Sequence, residues 1–263
     1  MRRRVVTAIT GIAILGALIL TPAAALAANP GAGSCSGGTI PAGTYSGFTV
    51  TGTCTIAHGA TVQVNGNLIL TRGASLDDHG AELWQLAQVH VTGNVIVGKG
   101  AVLGLGYNAA EGTLGPDTVG GSIIADQPLA LQVGNLTVGG SVISFGGGVP
   151  SNSVADSRNF PVKDNVIHGS LILQGWRGGW LGVIRDHVDG SVIVSFNRSI
   201  STPPSSDGPG ATVMDPDSNE VQTNSIGGNL ICLGNTPHAQ VNPADGGQPN
   251  TVLGHKIGEC AGL

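Results

Sequence analysis

Four residues in the C-terminal half of the chain have the side chains that acid–base chemistry requires. Arg185, Asp186, His187 and Asp189 stand almost side by side. Hydrolysis or lyase cleavage of a polysaccharide needs a carboxyl or basic group with a shifted pKa beside a second such group. This run therefore supplies weak catalytic candidates. The other interpretation is a solvated corner of the fold, and it applies equally to a second acidic run at Asp77-Asp78-His79 and Glu82.

Two tryptophans could instead bind a ligand without reacting with it. Trp176 and Trp180 are separated by Arg177 and two glycines. Exposed indoles cover the apolar faces of sugar rings, and an arginine between them adds hydrogen bonds. We therefore predict a glycan platform of Trp176, Arg177 and Trp180. The competing interpretation is that both indoles cover an edge of the core.

A third pattern resembles the beginning of a calcium loop. Asp215, Asp217 and Asn219 alternate as in the first half of such a loop. Calcium loops of this kind need a glycine at the sixth place and a glutamate at the twelfth, where this sequence has Glu220 and Ile226. The three residues are weak metal candidates, and no cofactor is expected apart from this weak case for calcium.

These candidates must be positioned by a repeat that the glycines mark. A glycine followed by asparagine or serine and then by apolar residues recurs along most of the chain, at Gly66, Gly93, Gly121, Gly140, Gly169, Gly190 and Gly228. The apolar runs are short and β-branched, so each unit is a strand followed by a glycine corner. Gly169 and Gly190 are 21 residues apart, which predicts a three-sided coil in a solenoid.

Stacking such coils places equivalent residues in ladders. The polar residue after each glycine is expected to form one ladder, made of Asn67, Asn94, Ser122, Ser141, Ser170, Ser191 and Asn229. The apolar residues next to it are expected to lie inside a single elongated core, namely Leu68, Ile96, Ile123, Val142, Leu171, Val192 and Leu230. Three longer segments interrupt the repeat, and we predict loops at 104–120, 146–161 and 199–220.

The repeat carries a resemblance to a known family. The longer match of Val162-Lys-Asp-Asn165-Val-Ile to Val221-Gln-Thr-Asn224-Ser-Ile resembles right-handed parallel β-helix proteins, the pectate-lyase-like superfamily in the broad sense. Together with the cysteine-bearing tail, it also resembles uncharacterised secreted proteins of actinobacteria. The resemblance implies an all-β, right-handed parallel β-helix. The acid–base elements of polygalacturonase-like enzymes are not matched beyond the pair Asp77-Asp78.

The N-terminus predicts export. Three arginines are followed by an apolar stretch at residues 5–20 and by the small-x-small site Ala25-Leu26-Ala27. We expect residues 1–27 to be a signal peptide and residues 28–263 to be a single secreted β-helix domain. No further segment predicts a membrane anchor, and outside the signal no basic patch predicts a nucleic-acid partner.

The cysteines predict disulfides because an exported protein meets an oxidising environment. Four cysteines allow three sets of two bridges. Proximity in sequence favours Cys35–Cys54 and Cys232–Cys260, which would staple the two ends of the solenoid.

The expected function is a non-enzymatic cell-surface or matrix component whose candidate ligand is a polysaccharide. A net charge of −5 disfavours polyanionic ligands unless calcium mediates. The alternative is a polysaccharide lyase or glycoside hydrolase on the same scaffold. A polymer built by end-to-end stacking, as in bactofilins, is disfavoured because the stapled ends would block addition.

Overall fold

The computed structural model describes residues 30–77, 87–106, 109–110, 112–149, 159–199, 219–243 and 246–263. The predicted signal peptide lies outside these residues. Among the described residues, no helix is long and apolar enough to cross a membrane.

The chain coils into a solenoid with three parallel sheet faces. Face A contains the C-terminal half of β3 (Phe48–Ile56), β6 (Ser75–Asp77), β9 (Val102–Gly106), β12 (Ala130–Gly134), β15 (Phe160–Lys163), β19 (Leu181–Ile184) and β23 (Asn219–Gln222). Face B contains β2 (Gly43–Tyr45), β4 (Thr61–Val64), β7 (Gln88–Val91), β10 (Thr118–Val119), β13 (Thr137–Val138), β16 (Val166–Ile167), β20 (His187–Val188), β24 (Ser225–Ile226) and β26 (Thr251–Val252).

Face C contains the N-terminal half of β3, β5 (Leu68–Leu70), β8 (Val95–Val97), β11 (Ile123–Asp126), β14 (Val142–Phe145), β17 (Leu171–Gln174), β21 (Val192–Ser195), β25 (Leu230–Leu233) and β27 (Lys256–Gly258). The remaining elements are β1 (Gly33–Ile40), which pairs with β3, the short pair β18 (Arg177–Gly178) and β22 (Arg198–Ser199), and a 3-10 helix at Glu259–Gly262. The predicted parallel β-helix is confirmed.

The core forms because alternate residues of each short strand point inward. Six of the seven predicted core residues are at most 2% exposed, namely Leu68, Ile123, Val142, Leu171, Val192 and Leu230. The prediction for Ile96 is wrong, because its side chain is 36% exposed and its neighbours Val95 and Val97 point inward instead. The sequence pattern did not reveal which member of the apolar triplet faces outward.

The polar ladder beside the glycines has the predicted members. Each backbone N–H donates to the side-chain oxygen of the equivalent residue one coil earlier, at 2.8–3.1 Å. The glycines are required there, since a Cβ at Gly190 would lie 2.5 Å from Ser170 Oγ and 2.6 Å from Gly169 O. The ladder therefore fixes the register from one coil to the next.

Both predicted disulfides are present. Cys35 in β1 is bonded to Cys54 in β3, and Cys232 in β25 is bonded to Cys260 in the terminal 3-10 helix. Each bridge joins neighbouring coils at one end of the solenoid. The described residues contain no free cysteine.

Candidate functional site

The run from Arg185 to Asp189 crosses the corner from face A to face B, and its side chains separate there. Arg185 adopts φ 58° at the corner and makes a two-pronged ion pair with Asp164, at 2.6 and 2.9 Å. Asp186 points into the interior, where it is 2% exposed. His187 and Asp189 point outward from face B. The structure therefore corrects the predicted group of four, because Asp186 does not share a surface with the other three.

Asp186 belongs to a buried ladder of amide side chains at this corner. Its Oδ1 accepts hydrogen bonds from the backbone N and the Nδ2 of Asn165, at 2.9 and 2.8 Å. Its backbone N donates to Oδ1 of Asn224 at 2.8 Å, and Asn224 contacts Asn250 in the same way. Asp186 thus stands where the neighbouring coils have asparagine.

The asparagines on either side show what this position requires. Nδ2 of Asn224 donates to Val183 O and to Asn250 Oδ1, both at 2.8 Å. The corresponding atom of Asp186 is Oδ2, which is buried and receives no hydrogen bond from the described residues. Burial raises the pKa of Asp186 well above its usual value, in spite of the hydrogen bonds from Asn165. Protonation at Oδ2 would give Asp186 the donor that the amide Nδ2 provides at this place in the ladder.

On the outer side of face B, one carboxylate joins two imidazoles. Asp189 Oδ2 lies 2.8 Å from Nδ1 of His168, and its Oδ1 lies 3.0 Å from Nε2 of His187. About half of each side chain is exposed. The pKa of Asp189 is lowered, chiefly by the hydrogen bond from His168. The trio presents polar groups to solvent in a defined orientation.

Face B carries a shallow groove of about 460 Å3 on the coils before this trio. Its floor contains Gly120 and Gly139, which stack so closely that a Cβ at Gly139 would lie 2.3 Å from Gly120 O. Val91 and Val119 also line it, and its polar side chains are hydroxyl, amide and imidazole groups from Gln63, His90, Thr92, Thr118 and Thr137. Nδ1 of His90 lies 3.1 Å from Oγ1 of Thr118.

A second cavity of about 400 Å3 lies at the corner beside the trio. It is bounded by Leu114 on one side and by His187 and the Arg185–Asp164 ion pair on the other. The groove, the trio and this cavity thus lie on face B or at its corner with face A. The groove residues are not among the sequence predictions, although an alignment of the coils at their second corner places His90, Thr118 and Thr137 in one column.

The predicted tryptophan platform is wrong. Trp176 is 1% exposed and packs edge-to-face on Phe160, with ring centroids 5.3 Å apart. Its backbone N donates to Asn197 Oδ1 at 2.9 Å, which places it at an inward corner position. Arg177 is exposed, but in β18 it lies beside Arg198 of the next coil.

Trp180 is only half-buried, but it lies over face A rather than beside Trp176. A Cβ at Gly182 would lie 2.3 Å from the indole, so the missing side chain provides the space for the ring. Its Nε1 donates to Oε2 of Glu220 at 3.2 Å, and Lys163 Nζ lies 5.9 Å from the ring centroid. The two indoles therefore cannot bind one sugar chain together.

The metal candidates do not form a site among the described residues. Asn219 is fully buried in β23, where its Oδ1 accepts from Ser199 Oγ and its Nδ2 donates to Pro237 O, both at 2.6 Å. This corrects the prediction for Asn219, because its amide is already used in the core. Asp215 and Asp217 lie outside the described residues, as do Asp78, His79 and Glu82. Within the described ranges, no group of three or more histidine, cysteine or acidic residues is placed to hold a metal.

Comparison with known proteins adds no identity. No family model matches the chain, and no curated protein or solved structure is significantly similar to it.

Proposed function

We propose that the protein is a secreted, non-enzymatic β-solenoid of the cell surface or extracellular matrix that binds a neutral or weakly charged polysaccharide along face B. The observation that carries this proposal is the groove on face B, which the side chains of His90, Thr118 and Thr137 line. These three residues stand at equivalent positions of consecutive coils, so the groove crosses several coils.

The chemistry of the groove suits sugar hydroxyls. Threonine hydroxyls both donate and accept hydrogen bonds, as sugar hydroxyls do, and His90 and Gln63 add further donors and acceptors. Equivalent side chains repeat every ~4.8 Å along the stack, so a linear polymer can contact several coils. The net charge of −5 disfavours polyanionic ligands.

The disulfides support the extracellular part of the proposal. Structural disulfides persist in oxidising compartments and are rare in the cytosol. Cys35–Cys54 and Cys232–Cys260 are therefore compatible with an extracellular protein.

The test is a glycan array probed with residues 28–263, followed by affinity measurements on the glycan that binds. We expect His90→Ala combined with Thr118→Ala to weaken binding about 5- to 30-fold, because each lost hydrogen bond contributes roughly 1 kcal/mol. Thr53→Ala is the matched control, since Thr53 is an exposed threonine on face A.

Two results would reject the proposal. One is binding that the His90 and Thr118 substitutions leave unchanged. The other is the release of reducing ends or unsaturated products from a polysaccharide, which would favour the lyase or hydrolase alternative.

A further inference from the structure

Face C carries an outward column that differs from the columns of face B. The second residue of each of its strands after β3 is isoleucine, and consecutive strands pair these residues in register: Ile69, Ile96, Ile124, Ile143, Ile172, Ile193, Ile231 and Ile257. We name these eight residues the isoleucine stripe. It runs the length of the face without interruption.

The stripe lies at the surface rather than in the core. Ile96, Ile124 and Ile257 are 36–41% exposed, and the other members are half-buried by their neighbours in the column. Further exposed apolar side chains border it, namely Phe145, Phe196 and Leu233. Among the described outward positions of β5 to β25 on this face, Asp126 is the one charged residue.

Strand propensity does not account for the stripe. Isoleucine favours strands because it is β-branched, but threonine shares that preference. Outward positions of face B use threonine, as at Thr118 and Thr137. A column of eight isoleucines instead resembles one inner surface of a β-sandwich, where two sheets pack about 10 Å apart.

We propose that the isoleucine stripe is the interface of a homodimer in which two copies pack face C against face C. A uniform column is complementary to itself under a two-fold axis, and an axis between Ile143 and Ile172 would superpose the whole stripe on its partner. The scarcity of charge on the face removes like-charge repulsion between two copies of an acidic chain. The contact is lateral, so the disulfide-stapled ends do not obstruct it.

The area lies at the lower limit for such a dimer. Eight strands spaced ~4.8 Å apart and four residues wide give a flat footprint of about 34 by 13 Å, or ~450 Å2 per copy. The two copies together would bury about twice that area, without counting the further surface of the side chains that project from the face. The total is close to the ~1,000 Å2 that a specific interface needs, and it is mostly apolar.

Sedimentation equilibrium of residues 28–263 tests the proposal. We expect a dimer for the natural sequence, and we expect Ile172→Lys to raise the dimer dissociation constant about 100-fold or more, because two lysines would be buried near the axis. Thr53→Lys places the same charge on face A and should leave the dimer unchanged. Circular dichroism of both variants verifies that they fold.

A second variant keeps the test decisive if the lysine prevents folding. All four native cysteines are paired, so Ile172→Cys introduces a single free thiol close to the axis. Two face-packed sheets lie about 10 Å apart, too far for a direct disulfide, so a short bismaleimide is used as the cross-linker. It should join Ile172→Cys into a covalent dimer and should leave Thr53→Cys monomeric.

A monomer at concentrations up to ~100 µM, or a dimer that Ile172→Lys does not weaken, would overturn the proposal. So would a monomer that pellets with an insoluble polysaccharide and loses this property with Ile172→Lys, since the stripe would then bind polymer. None of these results depends on the groove of face B, which His90→Ala and Thr118→Ala test separately.

Discussion

Replacing Asp186 with asparagine should stabilise this protein at neutral pH. Asp186 occupies an asparagine position in the buried ladder, between Asn165 and Asn224. The substitution changes one atom, from Oδ2 to Nδ2, and removes a titratable group from the interior. The new amide can donate where Nδ2 of Asn224 donates in the next coil, to a strand carbonyl and to the following ladder residue.

The magnitude has two sources. A buried hydrogen bond contributes about 0.5–1.5 kcal/mol net. Burial also raises the pKa of Asp186 in the folded state, and each unit of difference between the folded and unfolded pKa costs about 1.4 kcal/mol. We expect Asp186→Asn to raise the free energy of unfolding at pH 7 by about 0.5–1.5 kcal/mol from the hydrogen bond, in addition to removing the cost of the raised pKa. For a chain of this size, the hydrogen bond alone corresponds to a thermal midpoint higher by roughly 1–6 °C.

The pH dependence distinguishes the two sources. Below the unfolded pKa of about 3.9, the carboxyl is protonated in both states and titration costs nothing. As the pH rises, the unfolded state releases the proton while the folded state keeps it, so the natural protein loses stability until the folded pKa is passed. The advantage of Asp186→Asn should therefore be small near pH 3 and should grow with pH.

Thermal melts of both proteins from pH 3 to pH 9 provide the measurement. Asp189→Asn is the control, because it makes the same change of side chain in the same coil at an exposed position. The reasoning is refuted if Asp186→Asn lowers the midpoint at pH 7, or if its effect is the same at every pH.

Three further predictions concern the core, the stapled end and the exposed trio. Trp176→Ala should lower the free energy of unfolding by about 3–5 kcal/mol in a denaturant titration, and a loss below 1 kcal/mol would contradict the buried position of the indole. Replacing Cys232 and Cys260 with serine should cost about 3 kcal/mol in the same assay, whereas an unchanged midpoint would mean that the bridge does not constrain the unfolded chain. His168→Ala should raise the pKa of Asp189 towards its usual value in an NMR titration, and an unmoved pKa would show that His168 is not its main cause.

The fold was predictable because its information is local and repeated. Each coil has the same kind of corner. A glycine leaves room for the carbonyl of the preceding coil, and the side chain of a short polar residue accepts a hydrogen bond from the backbone N–H of its neighbour. The ladder from Asn67 to Asn229 and both disulfide pairs followed from that repetition and from proximity in sequence.

The candidate site was less predictable, because residue type does not say which way a side chain points. The 21-residue shift from Trp176 leads to Asn197, which is buried in the structure, but an asparagine at that place does not indicate from sequence that the indole is internal. The same shift from Asn165 leads to Asp186 and identifies it as a ladder position. Ile96 was misplaced because its two apolar neighbours fit the core equally well. The groove of face B depends on contacts between coils, which one-dimensional spacing does not encode.

The polar ladder beside the glycines would allow the number of coils, and with it the length of the molecule, to change. Residues 169–189 form one complete turn that begins and ends at the same corner. Excision of this turn would bring Ser191 N against Ser141 Oγ and Asn224 against Asn165, which are the same kinds of partner that these groups have now. The rod would shorten by ~4.8 Å, and the groove-bearing and isoleucine-bearing sides would keep their alignment. Gain or loss of whole turns would thus tune the reach of both surfaces in a single step.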